Sequence, residues 1–125
     1  MQRILNTSDV EYIHSALMDL NSNNVNTIRS ISLLQSAVES AYQTFDGNDL
    51  YSSIEDKAAK LMQAIIKNHP FIDGNKRTGL FTMLIMLTIN NVKINYTQDE
   101  LVELSVDVAN GLSILEIVNW IEKRK

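Results

Sequence analysis

The 125-residue sequence predicts an all-α protein, a compact bundle of about six helices around one buried central helix. Three observations carry that expectation. Apolar residues recur at helical spacing in several stretches. Chain breakers are scarce, with a single proline and four glycines. Four-residue capping signals headed by Ser or Thr stand ahead of the periodic stretches, where a helix start needs its N–H groups satisfied.

Ser8-Asp9-Val10-Glu11 reads as a capping box opening a first helix that runs to about Leu20, with Asn21-Ser22-Asn23-Asn24 as the break. Ile31, Leu34, Val38, Ala41, Tyr42 and Phe45 share one face, which places a second helix from about Arg29 to Thr44. Asp46-Gly47-Asn48-Asp49 is a turn cluster. Ser53 caps a third helix bearing Ile54, Ala58, Leu61, Met62, Ile65 and Ile66; it ends near Asn68, because a residue preceding proline avoids the helical region. Asn75 to Asn90 is apolar almost all round and predicts the central helix. Val92 to Tyr96 alternates like a short extended piece. Thr97-Gln98-Asp99-Glu100 caps a fifth helix that stops at Gly111, and Ser113-Ile114-Leu115-Glu116 caps a sixth carrying Trp120 and Ile121.

The length fits one domain, 1–125, able to enclose a core without staples. There is no cysteine, which removes disulfides and thiolate metal sites and favours a reducing compartment. Met1 to Asp9 lacks the apolar run of a signal peptide, and Leu80 to Ile89 is too short to span a bilayer. A cytoplasmic protein with no membrane partner is expected. The net charge of −4 argues against a general nucleic-acid binder.

One stretch is unlike the rest. Lys67 to Arg77 holds three fixed positive charges and one negative, against the acidic balance of the whole. It contains the only proline and one of two histidines, and it feeds the most apolar helix. Asp73-Gly74-Asn75 leads into a helix N-terminus, where free N–H groups and the helix dipole favour an anion such as phosphate. Gly74 permits positive φ and close approach of a ligand. Lys76 and Arg77 oppose the dipole, by about 0.3–1 kcal/mol each; a bound polyphosphate reverses that penalty. Asp73 suits Mg²⁺ accompanying a nucleotide. His69 suits a general base on an incoming hydroxyl. Phe71 should point inward and anchor the loop. Taken singly, each element has an ordinary structural reading; their fixed order ahead of a buried helix is what points to chemistry. Elsewhere, His14 reads as a surface or packing residue, Trp120 as core or partial core, Gly79 as a site of close helix approach, and Met62, Met83 and Met86 as core filler.

His69-Pro70-Phe71-Ile72-Asp73-Gly74-Asn75-Lys76-Arg77-Thr78 closely resembles the signature of the Fic/Doc superfamily, in its Doc ("death on curing") branch. Ser32 to Val38, Ile54 to Asn68 and Leu101 to Trp120 resemble the family's flanking helices, so the likeness covers roughly residues 28–122. It implies the Fic/Doc fold, ATP and Mg²⁺ as cofactors, and His69 as the group that activates a target hydroxyl. Asp73 would hold the metal, and Gly74, Asn75, Lys76 and Arg77 the nucleotide phosphates, with Phe71 structural. Residues 44–52 fall where the family has a flap that docks the target segment.

Two positions depart from the AMP-transferase pattern: Lys76 replaces a glycine, and Leu80 replaces a second arginine. The resemblance then implies the Doc mode, in which the γ-phosphate passes to a protein hydroxyl. The implied target is a threonine of elongation factor Tu, whose modification would stop translation. The expectation is thus a kinase toxin, with AMP or other NMP transfer and an inactive partner-binding adaptor as alternatives. No glutamate is followed by Gly or Asn, as the family's self-inhibitory helix requires. The resemblance therefore implies control in trans by a Phd-type antitoxin.

Overall fold

The computed structural model describes residues 1–19 and 28–125. Among these lie six helices and one short hairpin: α1 (Thr7–Asp19), α2 (Ile31–Ser40), β1 (Thr44–Phe45), β2 (Asn48–Asp49), α3 (Ile54–Asn68), α4 (Asn75–Ile89), α5 (Gln98–Ala109) and α6 (Ile114–Glu122). The break expected at Asn21-Ser22-Asn23-Asn24, and Leu20 before it, fall outside the described residues. None of the described helices is long and apolar enough to cross a membrane.

The core is one cluster, built mainly by α3 and α4. Those two helices pack most extensively on each other; α3 also touches α2, α5 and α6, and α4 touches α1 and α5. The apolar α4 is central as its sequence predicts, and α3 shares the position. Gly79 explains how the two come so close. A Cβ at Gly79 would stand 2.9 Å from Ile66 Cγ1 and 3.1 Å from the Met62 carbonyl oxygen. Met62, Met83 and Met86 are fully buried filler. Trp120 is half-buried against the core, with the Arg124 guanidinium 4.0 Å from its ring centre.

The caps of α3, α5 and α6 fall where the sequence places them. Ser53 Oγ accepts from the Asp56 N–H, and Thr97/Glu100 and Ser113/Glu116 form reciprocal capping boxes. Three expectations are corrected. The first helix is capped two residues earlier, by Asn6 and Asp9, each accepting the other's backbone N–H. The cause is Leu5, which is buried and whose N–H and C=O both bond the Tyr42 hydroxyl, fixing where the chain turns. The second helix starts after Ser30, not at Arg29, and stops at Ser40. The turn cluster beyond it holds, as the two-residue bend (Asp46, φ 53°; Gly47, φ 80°) of a hairpin in which Thr44 pairs with Asp49. The buried Lys57 ties the hairpin to α3 by donating to Asp49 Oδ2 at 3.1 Å and to the Ser52 carbonyl at 3.0 Å. Residues 92–97 form no strand; the Asn95 N–H goes to the Arg124 carbonyl at 2.7 Å.

Two outcomes follow from this packing. Helix propensity alone favours Gly79→Val, yet overpacking should destabilise that variant by about 1–3 kcal/mol in urea denaturation; an unchanged midpoint would mean the helices do not meet so tightly. Burial pushes the Tyr42 hydroxyl from 10.0 up to about 12. The folded state therefore stays protonated where the unfolded chain ionises, so its stabilising effect is intact below pH 10 and is lost as pH rises toward 12. Tyr42→Phe should remove that part of the alkaline loss, measured as melting temperature against pH.

Candidate active site

The distinctive segment forms a rigid corner between α3 and α4. Pro70 disfavours right-handed helical backbone at His69, and His69 leaves α3 in the left-handed region (φ 50°, ψ 55°) while its N–H still bonds the Ile65 carbonyl at 3.2 Å. Gly74 makes a second left-handed turn (φ 82°) into α4. Between them Phe71 points inward and is 1% exposed, as its sequence position suggests.

The buried Asn75 side chain closes the corner. Its Oδ1 accepts from the Phe71 N–H at 3.0 Å, and its Nδ2 donates to the Phe71 carbonyl at 2.9 Å. These two bonds fix which way the amide faces. The second Nδ2 hydrogen then points at His69 Nδ1, 3.2 Å away. Nδ1 is the acceptor there, so the neutral imidazole carries its proton on Nε2. The Asn75 side chain is thus committed inward; what it leaves for a phosphate is its backbone N–H, which with those of Lys76 and Arg77 precedes the first helical bond, Thr78 N–H to Gly74 C=O at 2.9 Å.

The sequence missed a strut behind the corner. His14 is buried and lies flat on Phe71, with ring centroids 3.7 Å apart and planes within 4°. Its Nε2 donates to the Asp73 carbonyl at 2.9 Å, because that oxygen can only accept. Gly74 is needed on this side: a Cβ there would collide with Met18 Cε. Glycine thus allows the close approach of α1 from behind, while on its other side Gly74 lines the cavity in front of the corner. Arg29, read from the sequence as helical, instead precedes α2 and donates to the carbonyls of Asn68 and His69.

In front of the corner is a cavity of about 980 Å³, within the range of about 300–1,000 Å³ that holds a drug-sized ligand. Its polar end carries His69, Asp73, Lys76 and Arg77, and its apolar walls are Leu80, Phe81, Tyr96, Leu101 and Val102. All seven motif positions expected to matter thus belong to one corner, six of them lining the cavity and Phe71 behind it. Lys76 and Arg77 are exposed, and neither has an ion-pair partner among the described residues. A second cavity of about 500 Å³, bounded by Gln63, Lys67, Asn110 and Leu112, also reaches His69. His69 thus borders both cavities.

Asp73 is exposed, and one carboxylate oxygen accepts the Gly74 N–H at 2.8 Å. The other oxygen takes no part in that bond. Among the described residues no group of three or more His, Cys, Asp or Glu side chains could hold a metal unaided. A single carboxylate fits Mg²⁺, which commonly keeps its waters and takes phosphate oxygens.

The family model described as the Fic/DOC family matches residues 4–87. "Toxin Doc" of Mycolicibacterium smegmatis is 40% identical over 67 residues, which are 54% of this chain and 52% of that protein. The match thus spans about half the length of each.

Removing the Asn75 clamp should cost more than removing the cations in front of it. Asn75→Ala strands both polar groups of Phe71 and should lose about 1–3 kcal/mol, whereas Lys76→Ala and Arg77→Ala should stay within about 0.5 kcal/mol of the parent. Equal denaturation midpoints for all three would show that the amide clamp is dispensable.

Proposed function

Because the chain belongs to the Fic/DOC family, we propose that it is the toxin of a toxin–antitoxin module, a kinase that moves the γ-phosphate of ATP to a hydroxyl of a translation factor. The relative named "Toxin Doc" supports the toxin reading. Elongation factor Tu is the proposed target, and a Phd-type antitoxin the proposed partner in trans. In this reading residues 1–125 act as one Fic/Doc domain.

The observation that carries the reading is a pair of exposed cations without carboxylate partners among the described residues, set at a helix N-terminus on the polar end of a cavity with apolar walls. Such a site suits a polyphosphate attached to a flat apolar base. Lys76, Arg77 and the first N–H groups of α4 would hold the phosphates. Asp73 would hold Mg²⁺, which when bound offsets phosphate charge. Leu80, on the apolar wall, supports phosphoryl over AMP transfer, because it stands where the AMP-transferase pattern has an arginine.

The acceptor hydroxyl would reach His69 from the smaller cavity. Its oxygen bonds to the γ-phosphorus, the bond to the β,γ-bridging oxygen breaks, ADP leaves, and the hydroxyl proton passes to His69. As Asn75 holds it, the neutral ring offers Nε2–H. Accepting a proton at Nε2 requires the ring's own proton to move to Nδ1 and Asn75 to release that nitrogen.

Incubating the protein with elongation factor Tu and ATP labelled at either phosphate tests this. Label from the γ position alone, lost in His69→Ala with helicity unchanged, is the expected result. Label from the α position would make the protein an AMP or NMP transferase; neither label, with no nucleotide bound, would make it an adaptor. Lys76→Ala and Arg77→Ala should each weaken ATP binding about tenfold, equivalent to one lost charge-assisted contact.

A further inference from the structure

We infer that Arg29 is a positioning residue for His69, acting through the backbone of the corner rather than on substrate. The inference rests on the reading of His69 as the reacting group. Three consecutive carbonyls at the end of α3 converge on this one residue. Arg29 Nε donates to the His69 carbonyl at 2.7 Å and Nη2 to the Asn68 carbonyl at 2.9 Å. Its own N–H donates to the Pro70 carbonyl at 2.7 Å, seconded by the Ser30 N–H at 3.0 Å.

Each contact meets a need created by the chain path. The last carbonyls of a helix have no partners within it and carry the negative end of its dipole. His69 is not glycine, so its left-handed backbone is strained and persists only where the surroundings hold it. The guanidinium is a planar fork and can span two adjacent carbonyls at fixed spacing; an ammonium is a point charge and cannot. Among the described residues Arg29 forms no ion pair, so its charge is directed at these carbonyls.

The direction of the His69 Cα–Cβ bond follows from its φ and ψ, and with it the line along which the ring meets Asn75 and the cavities. Arg29 fixes that backbone from one side and Asn75 fixes the ring from the other. With Arg29 removed, His69 is free to relax toward commoner backbone angles, and its ring no longer meets the Asn75 amide squarely.

The test compares the parent, Arg29→Ala and Arg29→Lys by imidazole ¹⁵N spectroscopy, ATP binding and γ-label transfer. In the parent, His69 should show one neutral tautomer protonated on Nε2. Both variants should show averaged tautomer signals for His69 while those of His14 stay put. Transfer should fall about tenfold or more through kcat because the displaced ring no longer faces the acceptor, a loss larger than any gain from freeing Nδ1, with KM for ATP and the melting temperature little changed in Arg29→Lys. Should Arg29→Ala not fold, Arg29→Lys, which keeps the charge and loses the fork, decides the matter alone. Unchanged His69 signals in the variant that folds would overturn the inference, whatever the transfer rate. Shifted His69 signals with no transfer even in the parent would uphold the positioning role and sink the proposed kinase reading instead.

Discussion

The whole site depends on one side-chain amide, that of Asn75, returning both hydrogen bonds that Phe71 needs. Phe71 must go inward to fill the space between α1 and the corner, and a buried backbone must find partners for its N–H and C=O. Here both partners come from one residue four positions later. The loop is thereby closed on itself between two left-handed turns, at His69 and Gly74. Everything offered to a ligand, from the imidazole to the first N–H groups of α4, is displayed from that closed loop.

Charge is distributed to match. The first turns of α3, α5 and α6 carry carboxylates, Glu55 and Asp56, Asp99 and Glu100, and Glu116, which complement the helix dipole. The first turn of α4 carries none, and Lys76 and Arg77 occupy it instead. The chain has 15 acidic residues against 11 Lys and Arg, so carboxylates are not scarce. They are spent on other helix starts and on pairs such as Arg124 with Glu100 and Lys125 with Glu55, the latter holding Glu55 below the usual carboxylate range against the opposing effect of burial. The first turn of α2 also lacks a carboxylate but is capped by the Ser30 hydroxyl; among the described helices α4 is the one with neither a carboxylate nor a side-chain cap.

Much of this was legible in the sequence, and what was not has a common cause. Caps such as Thr97 with Glu100 are local signals three residues apart, and the apolar run of α4 is a local periodicity. The motif itself is contiguous. The struts are not: Arg29 meets His69 across 40 positions, and His14 meets Asp73 across 59. Neither contact leaves a mark on its own neighbourhood, since each donates to a main-chain carbonyl that any residue could supply. Asn75 and Gly74 line the cavity as expected, but their second contacts, behind the corner, were not legible for a related reason. Each has a front and a back, and sequence shows the residue without showing which side the chain has used. The start of α1 was misplaced because Asn6-x-x-Asp9 and Ser8-x-x-Glu11 both fit a cap, and the anchoring of Leu5 by a distant tyrosine decided between them.

Support and display are thus divided between the two faces of the corner. Of the residues that hold its shape, His14, Asn75 and Phe71 are buried, while Arg29 braces the corner from the surface. Those that would choose a cargo, Lys76, Arg77 and the rim residues Phe81 and Val102, face water. In the proposed reading, donor and acceptor could therefore change by substitutions at these exposed positions, with the buried chassis retained.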